Sequence, residues 1–102
     1  MNTLKKKVVV RNKLGLHARP AALFVQMANK FDSQIMVVKD DQEVNGKSIM
    51  GILMLAAEKG STVIINATGK DAEAAILELE KILGTEDLDR AFRPKSYLPY
   101  RK

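Results

Sequence analysis

The chain predicts an α+β domain whose elements follow the order βαββαβα. Three observations carry that prediction. Residues 4–11 and 61–67 read as strands, with Val8 and Val10 on the inner face of one and Val63 and Ile65 alternating against Ile64 and Asn66 in the other. Apolar residues recur at intervals of three and four over 18–31 and 71–83, the period of a helix with one buried stripe. Between these lie an Ile- and Val-rich run at 34–39 and a short stretch after Ser48 that is apolar around most of its circumference.

The first strand, 4–11, places Val8 and Val10 inward and Lys7 and Val9 outward. In the first helix, 18–31, Ala21, Phe24, Val25 and Ala28 form the core stripe, while Gln26, Asn29 and Lys30 face water. Strand 34–39 ends at Asp40-Asp41, a turn pair, and 42–44 forms a short third strand. Asn45-Gly46 then breaks the chain. Ser48 is placed to cap the second helix, its hydroxyl accepting from a free N–H one turn ahead. That helix carries Ile49, Met50, Ile52, Leu53, Met54 and Leu55 and ends at Lys59-Gly60. A domain this small cannot enclose a helix on all sides, so part of its apolar surface is expected to be exposed and to bind a partner. Strand 61–67 follows. The last helix, 71–83, aligns Ala72, Ala75, Ile76, Leu79 and Leu83, with Asp71 and Glu73 suiting its dipole and Gly84 as its stop. Three helices must then cover one face of a four-stranded sheet.

Composition narrows the function. At 102 residues and 46% apolar, the chain makes one domain with one modest, largely aliphatic core. It has no cysteine and a single histidine, which excludes disulfides, thiol catalysis and thiolate or histidine-rich metal sites. The longest apolar run is far too short for a membrane span. Lys5-Lys6-Lys7 is followed only by Val8-Val9-Val10 before Arg11, so no signal-peptide core is expected and a cytoplasmic location is. The net charge of +5 comes without a basic stripe interleaved with aromatics. An acidic protein partner therefore fits better than nucleic acid or membrane.

His17 is that single histidine, and it stands at a turn directly before the first helix. Histidine changes charge nearest neutrality, and its neutral ring nitrogen is a good nucleophile. Amide N–H groups at a helix start, here of Ala18 and Arg19, form a natural anion site. Arg19 adds a permanent charge suited to phosphate. Gly15 gives the turn its freedom, and Pro20 fits a first helical turn, where no internal N–H partner would exist. A lone histidine in a small domain is more often a surface or capping residue. These neighbours favour phosphoryl transfer instead.

The run Gly15-Leu16-His17-Ala18-Arg19-Pro20-Ala21 resembles the active-site signature of the HPr family. These are the histidine-containing phosphocarriers of the bacterial phosphoenolpyruvate-dependent sugar phosphotransferase system. Asn45-Gly46-Lys47-Ser48-Ile49-Met50-Gly51-Ile52-Leu53-Met54-Leu55-Ala56-Ala57 resembles that family's regulatory serine segment, at a fitting separation from His17. Residues 59–83 add a weaker match. The resemblance covers residues 1 to about 85, and the basic extension 86–102 departs from the pattern. It implies an open-faced sandwich with an antiparallel four-stranded sheet and three helices on one face.

The resemblance also implies a function. His17 accepts a phosphoryl group, on Nδ1, from enzyme I and passes it to enzyme IIA, with Arg19 assisting. Ser48 is phosphorylated by an ATP-dependent HPr kinase/phosphorylase. Ile49, Met50 and Leu53 are expected to form a docking patch beside His17, with Lys47 and Arg19 on its rim. The carrier would be a monomer without cofactor or metal, and a relay rather than an enzyme. Two alternatives stay open. One is a regulatory HPr paralogue acting in nitrogen or transcriptional control. The other is a small basic protein-binding module without phosphoryl transfer. In the extension, Phe92, Tyr97, Leu98 and Tyr100 could cover the open sheet face, whereas Pro94 and Pro99 argue against a long helix there.

Overall fold

The computed structural model describes residues 3–88. Strand β1 (Thr3–Val9) leads into helix α1 (Ala18–Ala28); strands β2 (Gln34–Lys39) and β3 (Gln42–Asn45) precede helix α2 (Ile49–Leu55), and strand β4 (Thr62–Thr68) leads into helix α3 (Ala72–Gly84). The sheet is antiparallel throughout, in the order β1-β4-β2-β3. The last strand therefore inserts between the first two, with Val8 opposite Val63 and Val37 opposite Ile65.

Alternation decides which face is buried. Val8, Ile35, Val37, Val63, Ile65 and Ala67 point inward and are almost fully enclosed, as expected for a strand of period two. Against them lie Ala21, Phe24, Val25 and Ala28 of α1, and Ala72, Ala75, Ile76, Leu79, Ile82 and Leu83 of α3. The small residues Ala21, Ala28, Ala72 and Ala75 let the helices approach the sheet closely. Phe24 is wholly buried, and partly buried Phe31 packs against the same core.

Several boundaries differ from expectation for identifiable reasons. α1 stops at Ala28 rather than at 31, because Asn29 donates from its side chain to the Val25 carbonyl and ends the ladder (2.9 Å). α2 ends at Leu55, before Lys59-Gly60, because Ala56 turns into the left-handed region (φ 50°). Gly84 does not stop α3. It is the helix's last residue, and the helix closes at Thr85, whose hydroxyl donates to the Lys81 carbonyl (2.6 Å). Leu88, expected in the extension, is buried in the core. Phe92, Pro94, Tyr97, Leu98, Pro99 and Tyr100 lie outside the described residues.

Asp71 precedes α3 but does not cap it with its side chain. Its carboxylate instead accepts from the backbone N–H groups of Asp32 (2.9 Å) and Ser33 (3.0 Å) and from the Ser33 hydroxyl. This ties the α1–β2 turn to the start of α3. The Ser33 hydroxyl, followed by the backbone donors, holds the Asp71 carboxyl below its ordinary value of 3.8. A carboxyl whose value is lower in the folded state stabilises the fold above the unfolded value and ceases to do so as pH falls through the folded one. Asp71→Asn should therefore destabilise the domain near pH 7. The gap from wild type should narrow steadily below about pH 4. Urea unfolding at a series of pH values measures it, and a gap independent of pH would assign the effect to geometry rather than charge.

Candidate functional site

His17 is fixed by its backbone and free at its ring. Gly15 adopts φ +80°, and a Cβ there would lie 2.9 Å from the Ala57 carbonyl oxygen, so only glycine fits without strain. Leu16 next to it is buried, and its N–H donates to the Ala57 carbonyl (2.8 Å). These two contacts press the loop onto the end of α2. His17 then takes an extended backbone as the N-cap of α1, its carbonyl accepting from the Ala21 N–H (2.8 Å). Its side chain makes no capping hydrogen bond and is exposed.

Ala18, Arg19 and Pro20 form the first turn of α1, which contains no acidic residue. Pro20 falls where a missing N–H costs nothing. The positive end of the helix and Arg19 thus share one cleft with His17, an arrangement suited to a phosphoryl group. A cleft of about 300 Å³ opens here, lined by Asn12, Lys13, Leu14, Gly15, His17, Arg19, Pro20, Glu86, Asp87 and Leu88.

Six of those ten residues were not foreseen. Buried Asn12 forks its side-chain amide to the carbonyls of Ile82 and Thr85, both at 2.8 Å. Arg11 N–H donates to the Leu83 carbonyl (2.8 Å) and Lys13 N–H to the Glu86 carbonyl (3.0 Å). The loop before His17 is therefore stitched to the end of α3. The signal available in sequence was a polar Asn12 two residues after the inward-facing Val10. It does not reveal its partners some 70 residues away.

Ser48 caps α2 as expected, its Oγ accepting from the Gly51 N–H (3.1 Å). Ile52 and Leu55 anchor that helix in the core. Ile49 (46% exposed), Met50 (68%), Leu53 (36%) and Met54 (63%) face outward as an apolar strip. Ser48 and His17 sit at opposite ends of this strip, because the His17 loop contacts Ala57, beyond the helix's C-terminus, and seven residues of helix span about 10 Å. Leu53 and Met54, in the second half of α2, lead toward His17, while Ile49 and Met50 lie by Ser48. Exposed Leu14 (75%) adds apolar surface on the cleft side.

Lys47 is not on the rim near His17. Its ammonium donates to the Phe31 carbonyl (2.6 Å), and its own carbonyl accepts from the Asn29 side chain (3.4 Å). Both partners follow the C-terminus of α1, about 16 Å along the helix from His17. The unsatisfied carbonyls of a helix C-terminus attract a cation more strongly than open solvent does.

Among the described residues, no group of three or more His, Asp or Glu side chains is placed to hold a metal ion, and no helix is long and apolar enough to cross a membrane.

A small α+β open sandwich that offers one exposed histidine at a cationic helix start defines the class of phosphohistidine-bearing carrier domains. The comparisons agree in detail. Residues 4–85 match the family described as the phosphotransferase-system HPr component phosphorylation site. The phosphocarrier protein HPr of Neisseria meningitidis is 45% identical over 80 residues, 78% of this chain and 90% of its own. The HPr-like protein Crh of Bacillus subtilis is 50% identical over 76 residues, 74% of this chain and 89% of its own. The crystal structure of a phosphocarrier protein HPr from Bacillus anthracis superposes with a TM-score of 0.78 at 48% identity, covering 81% of this chain and 99% of that one. The chain belongs to the HPr family of the phosphotransferase system.

Proposed function

We propose that this chain is a stoichiometric phosphoryl carrier in the cytoplasm, taking a phosphoryl group from enzyme I on His17 and handing it to an enzyme IIA for sugar uptake. One observation carries the reading. The molecule's single histidine has its backbone locked at the start of α1 while its ring is exposed beside Arg19. In acceptance, Nδ1 attacks phosphorus, the bond from phosphorus to the donor breaks, and the helix start and Arg19 hold the incoming charge. In delivery the same steps run in reverse onto the acceptor. No turnover of its own is needed, so the chain is a substrate of each partner rather than an enzyme.

Donor and acceptor must both reach one imidazole. Arg19 and the α2 strip of Ile49, Met50 and Leu53 are therefore read as a shared docking surface, with Lys47 at its distant edge. A monomer keeps this surface open to each partner in turn. Residues 1–85 form the carrier domain in this reading and 86–102 a basic C-terminal extension, whose first residues, Glu86 to Leu88, pack against the domain.

Incubation with enzyme I and labelled phosphoenolpyruvate tests the proposal. Label should appear on the protein at one equivalent, labile to acid and stable to base, and should move to an enzyme IIA when one is added. Absence of label would leave the protein-binding module as the better reading. The 50% identity to an HPr-like protein Crh favours a second reading, that of a regulatory paralogue. Label that reaches His17 but moves to no sugar-specific acceptor would support it.

A further inference from the structure

We propose that Glu86 and Asp87 form an acidic wall across the phosphoryl site, which weakens the grip on the phosphoryl group and so favours its release to an acceptor. The inference rests on the reading of His17 as the phosphoryl site. The two carboxylates follow directly on the family match, which ends at residue 85, and they line the same cleft as His17, Lys13 and Arg19. Their place is built rather than accidental. The backbone of this segment is fastened by the Lys13 N–H to the Glu86 carbonyl and by the Asn12 amide to the Thr85 carbonyl. Buried Leu88 anchors its far side.

The wall acts through the cations. Glu86 already holds the Lys59 ammonium at 3.3 Å. A phosphoryl group on His17 must share Lys13 and Arg19 with two carboxylates that line the same cleft. Like charge in the same cleft also raises the free energy of the phosphorylated form directly. When the group leaves, the P–N bond breaks, its electron pair remains on the imidazole nitrogen, and the acceptor's nucleophile makes the new bond to phosphorus. The repulsion relieved in that step favours delivery. The packed segment supplies the position and the side chains supply the charge, so amide isosteres remove the second and keep the first.

The test is a titration of the unphosphorylated full chain with inorganic phosphate, followed by NMR through the Ala18 and Arg19 amides. Glu86→Gln/Asp87→Asn should bind phosphate about 3- to 10-fold more tightly than wild type at low ionic strength, and the difference should shrink toward nothing near 1 M salt. Asp87→Lys should tighten binding further. Equal phosphate affinity in all three proteins at low salt would overturn the wall, as would a difference that salt leaves unchanged. The spectrum itself reports folding. Should the double variant lose its dispersion, Asp87→Asn alone keeps the Glu86–Lys59 pair and reads a smaller shift in the same direction. Because no phosphoryl donor is involved, failure here is separate from failure of the carrier reading: His17 labelled by enzyme I with unchanged phosphate affinities would remove the wall and leave the carrier.

Discussion

A His17→Ala variant takes up no acid-labile phosphate from enzyme I and phosphoenolpyruvate, and its fold is unchanged. The loss is complete because no second histidine exists to substitute. The fold survives because the imidazole is exposed and forms no capping bond. The contacts that set the turn run through the backbone: the Leu16 N–H donates to Ala57, the His17 N–H to Gly15, and the His17 carbonyl accepts from Ala21. The expected change in stability is within about 0.5 kcal/mol. Label transfer alongside a urea melt checks both halves. Residual acid-labile label would move the site elsewhere, and a large loss of stability would give the ring a structural duty.

Phosphorylation of Ser48, or its partial imitation by Ser48→Asp, slows transfer from enzyme I by about tenfold while leaving the domain folded. Ser48 supplies one cap bond to Gly51, worth about 1 kcal/mol, and aspartate is an equally good cap. Negative charge at a helix start is favourable, so stability is kept or slightly raised. The cost falls on docking. Ser48 adjoins exposed Ile49 and Met50, and new charge there meets an acidic partner that the protein's +5 net charge would otherwise attract. The separation along α2 puts this charge by Ile49 and Met50 rather than against the His17 loop, so the effect belongs to KM-like terms and diminishes at high salt. Transfer rates at two ionic strengths, with thermal melts, decide the matter. Equal rates remove the switch, and a slow variant that melts early shows only that the cap mattered.

What was legible in the sequence is what local chemistry determines. The alternation in β4, the stripe of α1 and the Ser48 cap each follow from residues within one or two turns of each other. His17 was legible for the same reason, since Gly15, Arg19 and Pro20 are its chain neighbours. Long-range pairing was not. Nothing in β4 announces that it enters between β1 and β2, and nothing in Asn12 points to Ile82 and Thr85. Lys47 was misplaced because helix direction sets which end of α1 it meets. Gly84 was misread because a glycine after an apolar stripe suggests a stop, whereas the hydroxyl of Thr85 provides one. Glu86 and Asp87 were assigned to an extension because their role comes from where α3 ends in space.

The stitching of residues 11–13 to residues 82–86 also has a consequence for assembly. His17 lies near the beginning of the chain, yet the loop that carries it is held by the last helix, across separations of 70 and 73 residues at Asn12. β1 likewise finds its sheet partner only when β4 exists. A growing chain that has not yet delivered α3 therefore contains every residue of the signature and the Ala57 contact, but lacks the bonds that hold Arg11, Asn12 and Lys13. The loop that carries the histidine is completed only once α3 has been made, and such non-local closure is the slow part of folding. The same dependence makes the order of the His17 loop a reporter of whether α3 has docked, since the Asn12 bonds to Ile82 and Thr85 are lost without it.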